Sequence, residues 1–148
     1  MFVCLSSLFY ADIVLSEQGT TIQNGWVRLV PPVSSMTAAY MVIRNDSDKG
    51  DRLLSATSDV SERVELHTTV LSDDGMMRMR QMDSIAIPAN GEVELKPGAM
   101  HLMLIGLTTP LVKGNRVVFN LVFEHQGSVT VELEISGAAR AFSASPAH

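Results

Sequence analysis

The sequence predicts an all-β fold, a Greek-key antiparallel β-sandwich or small barrel in a single domain. Three observations predict it. Eight or nine short stretches are rich in β-branched and other apolar residues, several of them alternating apolar with polar positions. They are separated by turn signals, among them Asp46-Ser47-Asp48-Lys49-Gly50, Ser72-Asp73-Asp74-Gly75 and Asn90-Gly91. No stretch combines helical periodicity with capping residues. The 148 residues suffice for one domain with its own core, and they contain no internal repeat or linker.

Taken in order, residues 22–30 (IQNGWVRLV) read as a first strand, stopped by Pro31-Pro32, which cannot donate to a ladder. Residues 37–45 and 51–57 follow on either side of a polar turn. Residues 63–71 alternate, with Val64, Leu66, Thr68 and Val70 on one face and Glu65, His67 and Thr69 on the other. After a hairpin turn, residues 76–83 place Met77 and Met79 on one face and Arg78 and Arg80 on the other. Residues 85–87 and 92–95 are short, and 100–107 (MHLMLIGL) is strongly apolar. Residues 109–115 read as a loop. Residues 116–124 turn Val117, Phe119, Leu121 and Phe123 inward, and 128–136 alternate Val129, Val131, Leu133 and Ile135 with polar residues.

Composition narrows the function. The formal net charge is −5, which argues against nucleic acid or anionic lipid as the main partner, since both attract basic surfaces. Methionine is abundant at nine residues, and the one cysteine is Cys4. No disulfide can form within one chain, and a Cys-based zinc or blue-copper centre is excluded.

Residues 1–11 (MFVCLSSLFYA) are apolar, with polar residues from Asp12. They read as a truncated secretory signal cut near Ala11, although no Lys or Arg precedes them and Phe9 stands three before the cut. A start codon assigned too far downstream accounts for the missing basic end. The blander reading is a first strand of the domain. The run is too short to span a bilayer, so no stable membrane insertion is expected. The domain is expected over 12–140 and a flexible tail over 141–148.

The chemistry concentrates between His67 and Met103. Imidazole and thioether form a soft ligand set, and soft ligands select Cu(I). His101 and Met103 are two apart on an expected strand, so both point to one face, roughly 6.5 Å apart along it. His67 and Met79 must arrive from neighbouring strands. For a lone methionine the ordinary role is core packing, and that role is expected of Met36, Met41, Met82 and Met100. His125 and His148 are expected to be a turn residue and a terminal residue, and Arg78 and Arg80 to be solvated. Met77 is a spare thioether beside the site.

These spacings are similar to those of the periplasmic copper chaperones called PCuAC. That family's signature is His, an optional Met, ten residues, Met, twenty-one residues, then His-x-Met. Here Thr68 replaces the optional Met, residues 69–78 supply the ten, Met79 follows, residues 80–100 supply the twenty-one, and His101-Leu102-Met103 closes the pattern. Arg28 with Pro31-Pro32, Ala38-Ala39-Tyr40, Asp51-Arg52-Leu53, Glu65-Leu66-His67 and Pro97-Gly98 also resemble the family. The likeness runs from about Asn24 to Gly137. The Met- and His-rich tail of many relatives is missing, because the chain ends with His148 alone.

The resemblance implies a cupredoxin-like sandwich and a periplasmic Cu(I) chaperone, not an enzyme. It implies one copper held by His67, Met79, His101 and Met103. The implied partner is a copper-accepting protein, an oxidase subunit or its assembly factor, and the chain is expected to be a monomer. The competing expectation is a metal-independent secreted β-sandwich that serves as an interaction module.

Overall fold

The computed structural model describes residues 19–137. It contains ten strands and, among the described residues, no helix. The strands are β1 (Thr20–Arg28), β2 (Met36–Asn45), β3 (Asp51–Ser58), β4 (Ser61–Leu71), β5 (Met77–Gln81), β6 (Ile85–Ile87), β7 (Gly91–Leu95), β8 (His101–Leu107), β9 (Arg116–Phe123) and β10 (Gly127–Ser136). The number exceeds the eight or nine expected because both short segments find partners. β6 pairs with β3 and β7 with β2.

Seven strands close into a barrel in the order β4, β8, β2, β1, β10, β9, β3, and β3 returns to β4 through the Ala56–Val64 pair. Closure leaves the barrel wall itself without free edges. β5 lies outside the ring as a flap on β4. The pairings are antiparallel except β1 with β10, which run parallel. A wholly antiparallel sheet was therefore one step too simple. The first and last strands meet at the seam of the barrel, where no hairpin dictates their relative direction.

Alternation sorts the residues as the sequence indicates. Val27, Ala39, Met41, Leu66, Leu102, Leu104 and the Val117, Phe119, Leu121, Phe123 row of β9 fill the interior. Leu133 and Ile135 join them from β10, while Val129 and Val131 pack at its partly buried end. β1 keeps both Ile22 and Val27 on the inner side, five positions apart, which a regular strand cannot do. A bulge between Gln23 and Trp26 absorbs the extra residue, with Asn24 at φ 53°. The bulge turns Trp26 to the outer wall.

Of the methionines expected in the core, Met41 is buried, and Met82 and Met100 pack partly buried against it. Met36 does not: it is half exposed, because it shares the outward parity of Ala38 and Tyr40 and faces Ile105 across the ladder. His125 lies exposed in the β9–β10 turn, as expected. The buried Asp51 carboxylate fixes that turn, accepting the backbone N–H groups of Arg52, His125 and Gln126 at 2.7, 2.9 and 3.0 Å. The signal segment 1–11, Cys4 and the tail 141–148 lie outside the described residues.

Candidate metal centre

Three adjacent strands, β5, β4 and β8, build the candidate site on the outer wall of the barrel. The register determines what meets there. His67 stands directly opposite His101, and Glu65 opposite Met103, across the β4–β8 ladder. On the other side of β4, Gln81 faces His67 and Met79 faces Thr69. Because parity is shared across an antiparallel pair, Glu65, His67, Met79, Gln81, His101 and Met103 all point to one face. Leu66 and Leu102 point the other way, into the core, and anchor the two histidines from behind.

The structure thus brings the two histidines into contact, with ring centroids 5.7 Å apart. It sets the two methionines beside them on the same face. Met103 is partly buried next to His101, whereas Met79 is exposed on β5, diagonal to His67. Arg78 and Arg80 are exposed, as expected.

The hydrogen bonds assign the imidazole tautomers. His101 Nδ1 lies 3.1 Å from the Ala99 carbonyl oxygen, which can only accept, so Nδ1 donates and Nε2 carries the free lone pair. His67 Nε2 lies 2.8 Å from the Glu65 carboxylate and donates to it, leaving the lone pair on Nδ1. Both remaining nitrogens, His67 Nδ1 and His101 Nε2, are buried and without a hydrogen-bond partner. A buried polar atom left unpaired costs about 1–3 kcal/mol. Two such atoms on facing rings form a pair of lone pairs that a cation would satisfy together. The opposite nitrogen of each ring is tied to an oxygen, the usual way a metal-binding histidine is oriented.

Electrostatics favours the neutral form of His101. Burial pushes the His101 pKa below its ordinary value, the bond to Ala99 opposes this, and the charges of His67 and Arg28 add to the fall. A neutral imidazole is the form that binds a metal. The Glu65 carboxyl is held below its usual range, chiefly by its bond to His67.

Sequence reasoning missed three contributors. Glu65 holds His67. Tyr40 is buried on the outer wall with its ring 6.3 Å from His101, and it stacks on Trp26 at 4.7 Å. The Arg28 guanidinium sits 5.3 Å from the Tyr40 ring centre. The Glu65-x-His67 spacing could have revealed the first, since residues two apart on a strand share a face. No strand periodicity ties the other two to the site, which they reach through β2 and β1, although both stand in stretches that resemble the family.

Among the described residues, no group of three or more His, Cys, Asp and Glu side chains could hold a metal ion.

The family model described as "Putative lipoprotein LpqE-like" matches residues 20–135. The chain is similar to "Putative lipoprotein Lxx21020" of Leifsonia xyli subsp. xyli (strain CTCB07), at 28% identity over 117 residues, covering 79% of this chain and 69% of that one. Among solved structures it is similar to DR1885 of Deinococcus radiodurans. To the apo solution structure it is 32% identical with TM-score 0.63, over 84% of this chain and 83% of that one. To the Cu(I) solution structure it is 28% identical with TM-score 0.66, over 84% of each. The copper-bound PCuAC domain from PmoF2 shares the fold, with TM-score 0.68 at 24% identity over 80% of this chain and 92% of that domain.

Proposed function

From its membership of the LpqE-like family, to which the chain belongs, we propose that this protein is an extracytoplasmic Cu(I) chaperone. One ion is held by His67 Nδ1, His101 Nε2 and the thioethers of Met79 and Met103. The observation that carries this reading is the pair of buried, unpartnered ring nitrogens on two histidines opposite each other in the β4–β8 ladder, each with its other nitrogen already bound to an oxygen. The Cu(I) form of DR1885, a structural relative, supports the choice of metal. The lipoprotein names of relatives support a location beyond the cytoplasm, and in a cell with two membranes that is the periplasm.

The donor set suits a carrier. Neutral imidazole and thioether stabilise Cu(I) without the charge pairing of thiolates. Thioethers also keep their ligand character in an oxidising compartment, where thiols pass into disulfides. His101 is buried and tied to the Ala99 carbonyl, so it anchors the ion. Met79 is exposed on the flap, so it is the ligand an acceptor displaces first. Stepwise exchange then hands the metal outward without releasing it to water. The acceptor in this proposal is a copper site of a respiratory oxidase, or the factor that assembles it.

The test is titration with Cu(I) under reducing conditions against a competing chelator. One ion per chain is expected for the natural protein, and none held competitively when all four ligands are changed to Ala. Equal binding by the two proteins overturns the assignment. Absence of binding by the natural protein overturns the function and leaves a metal-independent sandwich.

A further inference from the structure

The β4–β5 hairpin displays thioethers where a soluble domain has little reason to. Met is among the residues most often buried, yet Met77 and Met79 are 59% and 60% exposed. They are two apart on β5, so they share a face and lie roughly 6.5–7 Å apart along it. Every residue of β5 is exposed, and among the described residues the strand has no partner beyond β4. Packing therefore does not explain the two side chains.

Their register gives them a direction. Met77 faces Leu71 near the hairpin tip, Met79 faces Thr69, and Gln81 faces His67, which in turn faces His101 across β8. Along that path exposure falls from about three-fifths at Met77 and Met79 to 15% for the His67 side chain and 3% for His101. Soft sulfur donors thus lead from solvent to the unpartnered ring nitrogens, and Met79 belongs to both ends of the path. The four-ligand centre leaves Met77 unused.

We propose that Met77 and Met79 form a solvent-facing bis-thioether loading site, which captures Cu(I) on the flap and passes it inward to the His67–His101 pair. The proposal rests on the copper reading above. The step is a ligand exchange. The bond from copper to the Met77 sulfur breaks as bonds to His67 Nδ1, His101 Nε2 and the Met103 sulfur form, while the Met79 sulfur stays bound. The ion remains Cu(I) and no electron moves; with each ring in the neutral tautomer that its hydrogen bond sets, no proton moves either. Two neutral thioethers hold the ion more weakly than the four-ligand centre, so the gradient runs inward.

The Met77→Leu variant isolates the sulfur, since it keeps an apolar side chain of similar size at an exposed position. Stopped-flow loading from a Cu(I)–chelator complex is compared for the two full-length proteins, together with equilibrium affinity by chelator competition. The expected result is loss of the fast loading phase in Met77→Leu, with stoichiometry and affinity unchanged. In a parallel arm, Ag(I) serves as a redox-silent probe of methyl-labelled methionines by NMR. Beyond one equivalent, the Met77 methyl signal is expected to shift. Loading as fast as the natural protein, with an unmoved Met77 methyl, overturns the loading site and leaves the chaperone reading intact. Lower affinity in Met77→Leu also overturns it, by making Met77 a permanent ligand. Failure of the natural protein to bind Cu(I) sinks both readings.

Discussion

His67 and His101 face each other across two neighbouring strands with their ring centres 5.7 Å apart, each presenting one buried nitrogen without a hydrogen-bond partner among the described residues. Their other nitrogens are bonded to the Glu65 carboxylate and the Ala99 carbonyl. The pair is held ready from opposite sides by a side chain and by the backbone. The two supports differ in how mutation can reach them.

Glu65 is the support that mutation can remove. Its carboxylate fixes the His67 tautomer with Nδ1 bare, so Glu65→Ala frees the ring to turn and to adopt the other tautomer. Losing such an outer partner costs roughly 10–100-fold in metal affinity. Glu65→Gln keeps an acceptor oxygen and is expected to lose less. Cu(I) chelator competition on the three proteins checks this. Equal affinity in Glu65→Ala would mean that His67 is oriented by something else.

Leu102 and Met103 are chain neighbours facing opposite ways, and they separate stability from function. Leu102 is fully buried in the core, so Leu102→Ala is expected to cost about 2–5 kcal/mol of stability. Met103→Leu keeps volume on the outer wall and is expected to change stability by less than about 1.5 kcal/mol, while weakening Cu(I) binding. Chemical denaturation and copper competition, run on both variants, read the two axes. A copper-competent Met103→Leu would remove Met103 from the ligand set.

Gly25 tests the bulge that turns Trp26 outward. A Cβ at Gly25 would collide with Leu133 Cδ2, so Leu133 must move within a filled core. Gly25→Ala is therefore expected to destabilise by about 1–3 kcal/mol, the usual cost of overpacking. Leu133→Ala combined with it should recover part of that cost relative to the sum of the single changes, by making room. Strict additivity in a double-mutant cycle would place the strain elsewhere.

Much of this was legible in the sequence because strand parity is local. Alternation in residues 63–71, 116–124 and 128–136 assigned inner and outer faces, and turn residues separated the strands. It also put His67 on the face opposite Val64 and Leu66, and His101 on one face with Met103. Parity could not say that His101 is buried there. That burial is tertiary: Tyr40 comes from β2 and Ala99 from the preceding turn. Met36 was misjudged for the converse reason, since composition favours burial but its outward parity prevails. The bulge at Gln23–Trp26, the β3–β4 closure and the parallel β1–β10 seam depend on distant partners. No periodicity within a single segment encodes them.

Acid should weaken the metal-free protein in two separate windows. Burial holds the His101 pKa below its ordinary 6.5, the Ala99 bond opposes this, and His67 and Arg28 add to the lowering. In the unfolded chain the imidazole takes its proton near the ordinary value, whereas in the folded chain it resists until lower pH. Between the two values the unfolded state binds more protons, so stability falls as pH falls. Below the depressed value both states are protonated, and this contribution becomes constant. Glu65 follows the same sign at lower pH. Its folded pKa is held below 4.5, chiefly by the bond to His67, so its stabilisation is present above 4.5 and is lost as pH drops through the depressed value. The first window therefore opens just below 6.5 and the second below 4.5. Thermal melts of metal-free protein across both windows measure the slopes. His101→Phe keeps a buried aromatic ring but cannot titrate, so it is expected to flatten the first window and to leave the second. If its melting temperature falls between pH 6.5 and 4.5 as steeply as that of the natural protein, the buried imidazole is not what acid attacks first.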